Sequence, residues 1–180
     1  MSALTARQVV REYAPGRGLL GLDLEVAAGQ CHALLGRNGS GKSTLVRLLA
    51  RLDRLRSGSL TVLGCNLAGG SREHLARCGF LTDSAVHYDA LSGYDNGFFV
   101  ARTYGLPPAE CRRRLGELLE QADLSDRAGD AVATYSYGMR RKLSLVQALV
   151  HQPELLILDE PTAGIDAHFV TRLTAILRAR

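Results

Sequence analysis

Gly36-Arg37-Asn38-Gly39-Ser40-Gly41-Lys42-Ser43-Thr44 decides the reading of this 180-residue chain. The stretch fits the spacing GxxxxGK[ST] in full. Ahead of it, Cys31 to Leu35 reads as a compact apolar strand, which would bury the Cys31 thiol. Behind it, Thr44 to Leu52 reads as a helix, with Leu45, Leu48, Leu49 and Leu52 on one face. Between a strand and a helix, glycines let the backbone turn its N–H groups inward and form a nest for phosphate oxygens. Lys42 brings a mobile point charge to the β and γ phosphates, and the Ser43 hydroxyl suits a Mg2+ ligand. The helix that follows aims its positive end at the same place.

A second segment completes that chemistry. Leu155-Leu156-Ile157-Leu158 reads as a buried parallel strand that runs into Asp159-Glu160. A carboxylate at the C-terminal end of such a strand can hold Mg2+ directly or through water, which gives Asp159 its expected role. Glu160, one residue further, can orient or deprotonate a water in line with the γ-phosphate. The expectation is that the loop and the acidic pair act on one magnesium–triphosphate.

Outward from these segments, residues 5–13 and 20–26 read as strands of an antiparallel piece around Pro15-Gly16. A strand near Ser59 to Leu63 and a short helix near Arg72 to Arg77 follow. Residues 84–152 read as mostly helical, with Pro107-Pro108 opening one helix and Gly138 near the start of another. Strand, helix and strand with a helical insertion imply an α/β fold on a mostly parallel core sheet.

Composition excludes several classes. At 46% hydrophobic and 22% charged the chain is neither disordered nor fibrous. No run approaches the roughly 18 apolar residues of a membrane-crossing helix, and residues 1–10 show no signal-peptide pattern, so a soluble intracellular chain is expected. The net charge is +4, but all basic residues except Lys42 and Lys142 are Arg, a habit of composition rather than a nucleic-acid footprint. Arg112-Arg113-Arg114 falls on a helix as a solvated face. Cys31, Cys65, Cys78 and Cys111 are spaced too widely for a zinc knuckle, so reduced thiols and no sulfur-held metal are expected.

Five motifs in order carry a resemblance. Tyr13, the Gly36–Thr44 loop, Tyr135-Ser136-Tyr137-Gly138-Met139-Arg140, Leu155–Glu160 and Pro161-Thr162-Ala163-Gly164-Ile165-Asp166 resemble those of ATP-binding-cassette (ABC) ATPases. The resemblance spans essentially the whole chain. It implies a phosphate-loop fold with an N-terminal antiparallel piece, a core lobe over about 1–83 and 151–180, and a helical lobe over about 84–150. It also implies ATP and Mg2+ as ligands. Tyr13 would stack on adenine. Gly36, Arg37, Asn38, Gly39, Ser40, Gly41, Lys42, Ser43 and Thr44 would hold the phosphates. Ser136 and Gly138 would cap the γ-phosphate on a second copy, so two chains would sandwich two ATP molecules. Ser43, Asp159 and Asp83 would ligate the metal, with Lys42 and Glu160 catalytic. The wording around residues 98–106 and 137–139 is similar to bacterial exporter subunits, which implies a separate membrane-spanning partner on the inner face of the cell membrane.

Three departures qualify the resemblance. Tyr137 stands where the family has Gly, and its N–H remains usable only with a negative φ and a ring turned aside. Asp83 stands where the family has Gln and adds negative charge near the triphosphate. After Asp166 the family continues with a helix, a strand and a switch His, whereas these residues end at Arg180; His168 falls at a helix start and does not replace it. The strand would lie in the middle of the sheet, between those ending at Gly36 and Asp159. The expectation is therefore a fragment or a degenerate copy that is a poor ATPase alone. Alternatives are a soluble ABC ATPase acting on ribosomes or DNA, and a nucleotide-binding relic without turnover.

Overall fold

The computed structural model describes residues 2–82 and 86–178 as two compact units, Met1–Cys78 and Gly79–Arg180. In the first, β1 (Ser2–Ala14) and β2 (Arg17–Ala27) pair antiparallel through a turn at Pro15-Gly16. Leu4 and Ala6 of β1 alternate into the core while Thr5 and Arg7 do not, and Val9 turns inward after a register shift at Gln8. β3 (Ser57–Val62) lies against the other edge of β1, and β4 (Cys65–Asn66) closes a sheet of order β2-β1-β3-β4. Leu60 and Val62 of β3 face inward beside Leu4 and Val9, all nearly without solvent contact. α1 (Lys42–Leu49) buries Leu45, Leu48 and Leu49 at helical spacing. A 3-10 turn at Glu73–Arg77 ends the unit and buries His74, whose Nε2 bonds the Leu49 carbonyl oxygen at 2.8 Å.

Helices dominate the second unit. α2 (Gly93–Thr103) is capped by the Ser92 hydroxyl, which accepts from the Asp95 N–H. α3 (Pro108–Gln121) opens on proline, as its missing N–H and fixed φ favour. α4 (Tyr137–Leu149) presents Leu143, Leu145, Val146 and Leu149 to the core. Leu115 of α3 and Phe169 of α5 (Ala167–Arg178) belong to the same cluster. The parallel sheet is the pair β5 (Cys78–Leu81) and β6 (Leu155–Leu158). No helix among the described residues is long and apolar enough to cross a membrane.

Four local expectations need correction. Residues 31–37 form no strand; they are exposed throughout, with Leu35 at 93% and Cys31 on the surface instead of buried. A strand exists through its ladder to a neighbour, and among the described residues none pairs with this segment. β6 is only half-buried, not the fully buried strand that its apolar run implies. α1 ends at Leu49, so Leu52 does not reach the apolar face and is 60% exposed. Cys78 to Leu81 form a strand that the sequence reading did not include, through pairing with β6; Gly79 suits it, since a Cβ there would sit 2.2 Å from the Ala148 carbonyl oxygen.

Candidate functional site

The glycine loop has the shape its composition implies. Gly39 and Gly41 both take left-handed φ, +83° and +96°. A Cβ on Gly41 would meet the Gly18 carbonyl oxygen and Leu19 at 2.7 Å, so the loop is packed against the start of β2. Gly41 is also the N-cap of α1, and it supplies no side-chain acceptor. The first turn carries no acidic residue either, which leaves its N–H groups and the helix dipole to an anion. The Lys42 ammonium folds back across the loop, donating to the Gly36 and Arg37 carbonyl oxygens at 2.6 and 3.1 Å. Ser40 donates its N–H to the Arg37 carbonyl oxygen at 3.1 Å, and Asn38 and Gly39 form the intervening turn. Ser43 is exposed at the second helical position and Thr44 is buried. These residues fit a polyphosphate: donors, a cation and a cradle that a side chain on Gly41 would disturb.

Tyr13 sits near the end of β1, half exposed, where the register brings Glu12 opposite Gly18. Its hydroxyl donates to Asp53 Oδ2 at 2.5 Å. The Arg11 guanidinium lies over the ring, 4.8 Å from its centroid. Asp53 also receives Arg11 at 2.8 Å and Arg47 of α1 at 2.9 Å. Burial alone would raise the Asp53 carboxyl, but Tyr13, Arg47 and Arg11 outweigh it and hold it below its ordinary value.

In the second unit the acidic pair follows β6 directly. Asp159 donates its N–H to the Leu81 carbonyl oxygen at 2.8 Å, which carries the β5–β6 ladder one residue past the strand. Glu160 takes φ +46°, a left-handed conformation that L side chains enter at a cost. Arg141 of α4, 5% exposed, donates to the carbonyl oxygens of Asp159, Glu160 (2.9 Å) and Thr82 (3.0 Å). One guanidinium thus ties together the ends of β5 and β6 and the residue bearing the second carboxylate.

The start of α4 carries the signature residues. Ser136 is the N-cap and accepts from the Met139 N–H at 3.2 Å, while its own O–H stays available to donate. Tyr137, the first helical residue, has a negative φ, as its N–H requires. Its ring lies over Gly164, where a Cβ would fall 2.3 Å from the ring. Gly138 faces the same loop, and a Cβ there would sit 2.8 Å from the Gly164 carbonyl oxygen. Lys142 pairs with Asp166 at 3.3 Å and lies 4.5 Å from the Phe169 ring centroid. The Phe169 N–H, with Lys142 beyond it, keeps the Asp166 carboxyl below its ordinary range. Asp83 lies outside the described residues.

Two residues of these arrangements carried no motif. Arg141 shares the buried helical stripe of Leu145 and Ala148, so an arginine at a core position was the available signal. Asp53 stands as the one acid among Arg51, Arg54 and Arg56, a local pattern with no chemistry of its own.

Together these elements are those of the phosphate-loop nucleotide-binding class of α/β proteins. A family model described as ABC transporter matches residues 19–163, and the chain belongs to that family. It is 42% identical over 164 residues to the daunorubicin resistance ATP-binding protein DrrA2 of Streptomyces coeruleorubidus, covering 91% of this chain and 51% of that protein. It is 40% identical to the Nod factor export ATP-binding protein I of Cupriavidus pinatubonensis, covering 91% and 52%. The chain spans about half the length of the curated relatives it matches. Among solved structures, one described as the ATP binding subunit of an ABC transporter superposes with a TM-score of 0.85 at 29% identity, covering 98% of this chain and 74% of that one.

Proposed function

We propose that this chain is an ATP-binding, ATP-hydrolysing domain of an ABC exporter, working in the cytoplasm on a separate membrane-spanning partner. The observation that carries the reading is the uncapped first turn of α1, with Lys42 folded across its glycine loop, inside the region matched to the family. The loop N–H groups and Lys42 hold the phosphates, and Tyr13 offers its ring to the adenine. Mg2+, when bound, neutralises charge between the phosphates; the Ser43 hydroxyl and the Asp159 carboxylate are the groups that would hold it. Glu160 orients the attacking water and accepts its proton, while Ser136 and the N–H groups of Tyr137 and Gly138 serve the nucleotide on a second copy. Export as the direction of transport rests on the relatives, described as drug-resistance and Nod factor export proteins.

The test is equilibrium binding of Mg·ATP. Lys42→Ala is expected to weaken uptake at least about a hundredfold, since it removes a charge-assisted contact to phosphate. Unchanged uptake by Lys42→Ala refutes the assignment. Glu160→Gln is expected to bind normally and to lose whatever turnover the unaltered chain shows.

A further inference from the structure

The base platform and the phosphate loop are joined by a carboxylate that no motif includes. Asp53 follows α1 by four residues and is only 10% exposed at its side chain. Three groups converge on it: the Tyr13 hydroxyl at 2.5 Å, Arg11 at 2.8 Å and Arg47 at 2.9 Å. Two come from β1 near its hairpin turn, and the third comes from the helix whose first residue is Lys42. Independently, Gly41 packs against the backbone of Gly18 and the side chain of Leu19 across the turn from Tyr13. The hairpin is therefore held to α1 at both ends of the helix, at the loop by close backbone packing and beyond its C-terminus by the charged cluster. A tyrosine with a free hydroxyl samples several rotamers and loses that freedom when a base settles on it. Here Asp53 holds the hydroxyl and Arg11 lies over the ring, so the ring is set before any ligand arrives.

We propose that Asp53 is a positioning residue for the nucleotide base: it clamps Tyr13 and, through Arg47, fixes the ring relative to the helix that carries the phosphate loop. The inference rests on the nucleotide-binding reading above. It assigns to Asp53 a share of affinity that depends on the base and none that depends on the phosphates.

Two ligands separate these contributions, Mg·ATP and Mg·tripolyphosphate, which lacks a base. Asp53→Ala removes the clamp and both ion pairs; Tyr13→Phe removes only the hydroxyl bond and leaves Asp53 with its arginines. Each is expected to weaken ATP about three- to tenfold, a part of the value of a base–aromatic stack, and to change tripolyphosphate binding less than about twofold. The double variant should be no weaker than Asp53→Ala alone, because both act on one contact. Equal losses for the two ligands would make Asp53 merely structural and overturn the proposal, as would unaltered ATP affinity in Tyr13→Phe. Should the unaltered chain take up neither ligand, or Lys42→Ala bind both as well as it does, the nucleotide reading itself fails and the clamp with it.

Discussion

Gly164→Ala offers the sharpest test of how the signature helix and the loop after Glu160 fit together. Gly164 has φ +69°, and an added Cβ would lie 2.3 and 2.4 Å from two carbons of the Tyr137 ring. The backbone part of the cost is the left-handed penalty for an L residue, about 1–2 kcal/mol. Against it stands a gain of about 0.4–1 kcal/mol from a stiffer unfolded chain, leaving about 0.5–1.5 kcal/mol. The ring must then move aside. Because Tyr137 is 61% exposed, it can do so by rotating, and it forfeits only its contacts, about 0.5–1 kcal/mol at 0.1–0.2 per atom pair. Gly164→Ala should therefore cost about 1–2.5 kcal/mol in the unaltered chain and about 0.5–1.5 in a Tyr137→Ala background. The assay is a double-mutant cycle on urea midpoints followed by far-UV ellipticity. A coupling of zero, with Gly164→Ala costing the same in both backgrounds, would refute the packing of Tyr137 on this loop.

Arg141→Met should lower the stability of the Gly79–Arg180 unit by about 2–4 kcal/mol, seen as a lower urea midpoint, since three backbone carbonyls lose a charged donor and part-exposed ones regain only water. Arg141→Lys should recover little of it, because an ammonium cannot reproduce the planar fork. At Glu110, hydrogen bonds from Arg113 and then Arg114 hold the carboxyl at about 2, below its ordinary 4.5. A depressed carboxylate contributes stability that is complete above its unfolded value and lost as pH falls through the folded one. The melting temperature should accordingly drop faster between about pH 4.5 and 2 in the unaltered chain than in Glu110→Gln, with the difference shrinking in high salt because the pairs are exposed. Equal slopes for the two chains would show that the pairs do not persist in solution.

The phosphate loop, α1, the β1–β2 hairpin and the starts of α3 and α4 were legible because each is decided locally. Glycine and proline set φ, and apolar spacing sets a helical face, within a dozen residues. Residues 31–35 read as a strand on the same evidence and do not form one, since a ladder depends on a partner far away in sequence. β5 went unread for the converse reason: Cys78-Gly79-Phe80-Leu81 is too short to show a period, and what makes it strand is its pairing with β6. The phosphate-loop residues could be named from spacing, whereas Tyr13, Ser136 and Gly138 could be named only through the family resemblance. Asp53 and Arg141 could not, because each is defined by groups dozens of residues distant: Tyr13 and Arg11 for one, Thr82 for the other.

The bare run before the glycine loop also governs how the molecule behaves in bulk. Ala33-Leu34-Leu35 is apolar, belongs to no helix or strand and is exposed, Leu34 at 44% and Leu35 at 93%. Such a run sticks to its like in other molecules. Exposed apolar side chains of this kind favour self-association as concentration rises.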